Sequence, residues 1–177
     1  MELTAYDSGA LPALSDMDRY DSVLFYASTP DWPSPQERLR FGNDAFAFLQ
    51  SGKKRTLVLC DNSGSETFYG DLEQALPLRR GKRFKTAHRC SQERMSESAS
   101  CISGVCFEFH DPVKVYSGDD VSVAEQWECG APMVARRQLK SSALIVTTLC
   151  ASERGRMWDD CCGVEDVLLN CIVDAYS

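Results

Sequence analysis

The 177-residue sequence has no apolar run approaching the roughly 18–20 residues that a membrane-crossing helix requires. No membrane association is expected. It contains no Asn-x-Ser/Thr sequon, which argues against a glycosylated extracellular protein. Its opening stretch, MELTAYDSGALPALSDMDRYD, is acidic and lacks a charged segment followed by an apolar one, so no secretory leader is expected. Histidine is scarce, with only His88 and His110. Any Cys–His nucleophile would have to use one of them, and no local protease signature accompanies either. Glycine-rich loops are also missing. In DNSG, the turn at Asp61–Gly64, Gly64 stands alone, whereas a phosphate cradle needs several glycines ahead of a helix N-terminus.

Cysteine, in contrast, is plentiful. The nine are Cys60, Cys90, Cys101, Cys106, Cys129, Cys150, Cys161, Cys162 and Cys171. Their number is odd, two are adjacent, and several sit in apolar runs (LVLC, GVCF, TTLC, LLNC), where a thiol serves as a small hydrophobe. Reduced, mostly buried thiols in a cytoplasmic or nuclear compartment are the reading. The composition, 44% hydrophobic and 25% charged, suits one globular domain, residues 22–177, behind an acidic arm over residues 1–21.

Local patterns give the elements. Val23–Ala27 is β-branched and aromatic and reads as a strand. Ser34-Pro35-Gln36-Glu37 is a capping box with proline at the first helical position, starting a helix that runs to about Gln50 and stops at Gly52. Thr56–Cys60 reads as a strand, Asp61–Gly64 as a turn and Glu66–Tyr69 as a returning strand. Asp71–Leu76 forms one or two helical turns. Short strands are expected at Arg83–Ala87, Val105–His110 and Val113–Tyr116, with a turn at Asp111–Pro112 between the last two. Val121–Trp127 is strand or short helix, and Met133–Leu139 is ambiguous. Ala143–Cys150 is the most continuous apolar strand and should lie centrally. Val164, Val167, Leu168, Cys171, Ile172 and Ala175 share one helical face. The order predicts an α+β domain with a mostly antiparallel sheet, on which a helix from the N-terminal half and a C-terminal helix pack.

Charge is unevenly distributed. Arg79, Arg80, Lys82, Arg83, Lys85, Arg89 and Arg94 stand against Glu93 alone, a net +6 in a chain of formal charge −7. This stretch opens a basic, serine-rich region over residues 79–103. It has four readings: a contact for an acidic protein partner, an import segment (RRGKRFK), a nucleic-acid surface on which Phe84 could stack, or a solvated strand edge kept apart by charge. The candidate partner-binding residues are Arg79, Arg80, Lys82, Arg83, Phe84, Lys85, Arg89 and Arg94. For metals, His88, Cys90, Cys101, Cys106 and His110 fall close together. Their spacing (H-x-C, then C-x4-C-x3-H) matches no zinc knuckle, so no metal site and no cofactor is assigned. The carboxylate pairs Asp119/Asp120 and Asp159/Asp160 sit at turn and cap positions and read as structural.

The stretch from the helix through LVLCDNSG and ETFYGDL resembles the SUKH superfamily, which includes bacterial toxin-immunity proteins and proteins of large DNA viruses. Leu57, Leu59, Asp61, Gly64, Phe68, Tyr69 and Leu72 carry the likeness, over residues 33–72. It implies an α+β protein-binding module without catalysis, of a kind whose viral members counter host defences. The expected function is therefore a non-enzymatic intracellular interaction module, a viral accessory protein directed at host factors. The alternative is an RNA- or ribosome-directed regulator acting through residues 79–94.

Overall fold

The computed structural model describes residues 11–26, 34–60, 70–80, 110–112, 120–126 and 132–147. They form an α+β fold. Its centre is a βαβ unit: strand β1 (Ser22–Tyr26), helix α2 (Pro35–Gln50) after a short helix α1 (Leu14–Met17), and strand β2 (Thr56–Cys60). β1 and β2 run parallel, with Ser22 opposite Thr56 and Tyr26 opposite Cys60. β7 (Ser142–Thr147) lies parallel on the other side of β2, while β6 (Pro132–Leu139) and β5 (Val121–Gln126) continue the sheet antiparallel, in the order β1-β2-β7-β6-β5. A separate two-stranded ribbon pairs β3 (Leu78–Arg80) with β4 (His110–Pro112), and helix α3 (Asp71–Ala75) precedes it.

The sheet is thus mixed, which corrects the expectation of a mostly antiparallel one. Both edges of β2 are occupied over its full length, by β1 and β7. The expected turn at Asp61–Gly64 and return strand at Glu66–Tyr69 are not among the elements described. Residues 61–69 lie outside the described residues, and the next described element is helix α3 rather than a strand. Asp111–Pro112, read as a turn, is strand in the ribbon, with Pro112 opposite Leu78. Proline lacks an N–H to donate and is confined to strand edges, which a two-stranded ribbon provides. The expected strands at 83–87, at 105–109 and at 113–116, and the C-terminal helix, lie outside the described residues.

Several elements form where the local chemistry calls for them. Ser34 Oγ accepts from the Glu37 amide at 3.4 Å, and Glu37 Oε2 accepts from the Ser34 amide at 3.0 Å, so the capping box of α2 is closed in both directions. Gly52 follows that helix at φ 80°, the left-handed conformation in which glycine ends a helix. α2 lays Phe41, Ala45, Phe48 and Leu49 onto Leu57, Leu59 and Leu144, and the Phe25 and Phe41 rings meet at 4.6 Å between centroids. Register places Val23, Leu57 and Leu144 in one row and Phe25, Leu59 and Val146 in another, all on the face that α2 covers. Val58 and Ile145 belong to the opposite face and are also buried, as strands enclosed on both sides must be. The segment read as an acidic arm joins this core from residue 11 onward. Leu11 and Met17 are buried in it, and Arg40, itself paired with Asp44 at 2.8 Å, donates to the Leu11 and Pro12 carbonyls.

One glycine is demanded by geometry. Gly70 adopts φ 77° and ψ −149°, a region essentially reserved for glycine, at the start of α3. A Cβ there would overlap Asn43 Oδ1 and come within 3.1 Å of Leu39 Cδ1. Asn43 Oδ1 accepts from the Asp71 amide at 3.1 Å and so ties α3 to α2. Gly70→Ala is expected to lower the unfolding free energy by about 2 kcal/mol, combining backbone strain with loss of this tie. Urea unfolding checks it, and a variant indistinguishable from wild type contradicts it.

Candidate functional site

The basic stretch starts on the ribbon. Arg79 and Arg80 are the last two residues of β3, opposite Asp111 and His110 respectively. Lys82, Arg83, Phe84, Lys85, Arg89 and Arg94 lie outside the described residues, as do His88, Cys90, Cys101 and Cys106. Of the five metal candidates only His110 is described, and no group of three or more His, Cys, Asp or Glu is gathered as a metal site among the described residues. Of the nine cysteines, Cys60 alone falls within the described residues, at the carboxyl end of β2.

What fixes the root of the basic stretch is a side chain the sequence reading did not single out. Arg137 on β6 is 2% exposed. Its Nε donates to Asp120 Oδ2 at 3.1 Å, and its Nη1 donates to the Gln74 carbonyl at 2.8 Å, in the last turn of α3. On either side of Gln74 in the chain, Leu72, Ala75, Pro77 and Leu78 are buried, so α3 and the start of β3 are both held against the body of the fold. The signal was present but indirect. Arg137 lies at a position of β6 that register aligns with Leu144, on the α2 side of the sheet. A charge on an inward position needs a partner, and Asp120, read only as a turn residue, supplies it.

A second buried arginine does comparable structural work. Arg55, also 2% exposed, precedes β2 and donates to the Tyr20 carbonyl and to the Asp18 carbonyl, the latter at 3.0 Å. Asp18 and Asp21 carboxylates lie 3.6 Å from its guanidinium, which sits 5.0 Å above the centre of the Phe48 ring. Arg55 Nε, Thr56 Oγ1 and Asp120 Oδ1 are buried without a hydrogen-bond partner among the described residues. Both guanidiniums are engaged by carbonyls and carboxylates of this chain. Arg55 holds the Asp18–Asp21 segment at the amino end of β2, and Arg137 ties β6 to Asp120 and to the end of α3.

The carboxyl ends of β1, β2 and β7 meet in one row, Tyr26–Cys60–Thr147. In open sheets with parallel strands, ligands bind beyond such an edge. The segments that continue from these three strands lie outside the described residues. No helix among the described residues is long and apolar enough to cross a membrane.

No family model and no curated protein matches the chain. Solved structures do resemble it. One is the exo-β-1,4-mannosidase Op5Man5 from Opitutaceae bacterium strain TAV5, at 10% identity and a TM-score of 0.51, covering 93% of this chain and 25% of the mannosidase. Another is the cytoplasmic protein STM1381 from Salmonella typhimurium LT2, at 10% identity and a TM-score of 0.52, covering 91% of this chain and 73% of that one. The chain therefore spans a quarter of the mannosidase it resembles. At this identity the likeness is one of fold.

Proposed function

We propose that this chain is a non-enzymatic protein-interaction module that captures an acidic partner through the basic stretch beginning at Arg79. The observation that carries the reading is the concentration of seven Arg and Lys residues against one Glu within residues 79–94 of an otherwise acidic chain. Such a cluster repels itself and persists most readily where a counter-charge is supplied. The described part of the stretch supports it: Arg79 and Arg80 end a strand whose root is anchored by Arg137. The reading rests on this charge, which is independent of the SUKH likeness. The proposal extends to a cytoplasmic or nuclear setting, where nine thiols stay reduced, and, following the SUKH likeness, to a viral accessory role against host factors.

Reversing the charge of Arg79, Arg80, Lys82 and Arg83 to Glu is expected to abolish partner capture while leaving the thermal midpoint within a few degrees of wild type. Immobilised protein and a cell lysate provide the assay, with differential scanning calorimetry as the fold control. Undiminished capture by the reversed variant contradicts the proposal.

A further inference from the structure

Two connections meet at the amino end of the parallel strands. One, residues 51–55, leads from α2 into β2; the other, residues 140–141, is the two-residue turn between β6 and β7. Ser141 Oγ and Ser142 Oγ both donate to the Lys53 carbonyl at 3.0 Å, and the Ala143 amide donates to the Arg55 carbonyl at 2.8 Å. The connections are therefore clipped side by side. Lys53, Lys54 and Lys140 are all exposed there.

The macrodipole of α2 accounts for cations just beyond its C-terminus, at Lys53 and Lys54. It does not account for Lys140. That residue stands at φ 54°, in the left-handed region. The first position of such a hairpin turn ordinarily takes glycine, asparagine or aspartate, which reach positive φ readily. A lysine is held there by its surroundings. Gln138 Nε2 donates to the Lys140 carbonyl at 2.8 Å, Arg136 Nη2 donates to Gln138 Oε1 at 2.9 Å, and the two serine hydroxyls fix the turn to residue 53. Sparsely populated backbone conformations that the surrounding structure over-determines concentrate where ligands bind.

Carboxylates at this end are already matched: Asp18 and Asp21 face the buried Arg55, and Asp120 faces the buried Arg137. Lysine ammoniums act as point charges that suit the several oxygens of phosphate. The planar fork that grips a carboxylate through two bonds belongs to arginine, and Arg55 and Arg137 are engaged within the chain.

We infer that Lys53, Lys54 and Lys140 form a second anion-binding surface, which takes a ligand carrying clustered phosphates. It shares no residue with the stretch at 79–94 and does not depend on the reading of that stretch.

The test uses the full chain and sodium tripolyphosphate at low salt, read by isothermal titration calorimetry, with citrate as the carboxylate control. Lys53→Ala with Lys140→Asn removes two charges, while asparagine keeps the positive φ of the turn. Affinity is expected to fall about three- to tenfold, the effect of two exposed charge contacts, with the thermal midpoint within a few degrees of wild type. Ser141→Ala with Ser142→Ala keeps every lysine but unclips the turn, and should also weaken binding. The chain with Arg79, Arg80, Lys82 and Arg83 reversed should bind within about twofold of wild type. Displacement of tripolyphosphate by an RNA oligonucleotide supports the surface with a nucleic-acid backbone as the source of the phosphates, and tripolyphosphate binding without such displacement supports it with a free polyphosphate. Undiminished affinity in the Lys53, Lys140 variant, loss confined to the reversed chain, citrate bound as tightly as tripolyphosphate, or no binding by wild type overturns the inference and leaves the interaction reading standing.

Discussion

Truncating Phe48 to alanine is expected to lower the unfolding free energy by about 4 kcal/mol, the middle of the range for fully buried phenylalanines. Phe48 is 0% exposed and sits on the face of α2 that meets β2 and β7. The loss has two parts. The ring's apolar surface leaves a cavity among Leu57, Leu59 and Leu144 that close-packed neighbours cannot fill. The Arg55 guanidinium, 5.0 Å from the ring centre, also loses its aromatic platform in a desolvated setting. Domains are stable by about 5–15 kcal/mol in total, so a loss of this size consumes much of the margin. Urea unfolding gives the value from the shift in midpoint at constant slope. Phe48→Leu should lose less than half as much. A Phe48→Ala loss below about 1.5 kcal/mol would place this face of α2 away from the sheet.

The second large effect is expected at Arg137. Arg137→Ala should destabilise by about 3 kcal/mol, because removing one member of a buried pair leaves the other charged and uncompensated. Asp120 keeps a quarter of its side chain exposed (25%), which places the value at the lower end for such pairs. Converting both partners to uncharged residues, Arg137→Met with Asp120→Asn, should recover most of the loss. The change also reaches the basic stretch. With the Gln74 carbonyl deprived of its donor, the end of α3 loosens, and amide hydrogen exchange should rise at Leu78–Arg80 before it rises at Leu57–Leu59. Equal protection of Leu78–Arg80 in variant and wild type would show that Arg137 does not anchor the ribbon.

Much of the scaffold was legible because it depends on local signals. Ser34, Pro35 and Glu37 announce the start of α2, and Gly52 its end. The unbroken apolar runs TLVLC and ALIVT announce strands buried on both faces, and β7 is central as expected. Direction was harder to read. The turn chemistry of Asp61–Gly64 favours a hairpin locally, and that local reading conceals the parallel neighbours β1 and β7. The signal for those neighbours was available. A strand at Val23, a capped helix from Pro35 and a strand at Thr56 have the length of a βαβ unit, and continuous apolar strands without alternation suit parallel pairing. Arg137 escaped because its meaning is tertiary. Only the register that aligns it with Leu144, together with Asp120 and the Gln74 carbonyl, turns an ordinary surface-type residue into a buried clamp. The root of the candidate site was legible as charge at Arg79 and Arg80. The positions of His110 and Asp111 opposite them arise from a pairing across some thirty residues of chain, which no local pattern encodes.

The most direct measurement of the proposed function is affinity capture from a cell lysate with the wild-type chain and the Arg79, Arg80, Lys82 and Arg83 charge-reversed chain side by side, with and without nuclease. The expected result is a discrete protein retained by wild type after nuclease treatment, released by salt and absent from the reversed chain. Retention that disappears with nuclease would contradict the protein-partner account and transfer the basic stretch to RNA, and equal retention by both chains would remove the stretch from function altogether.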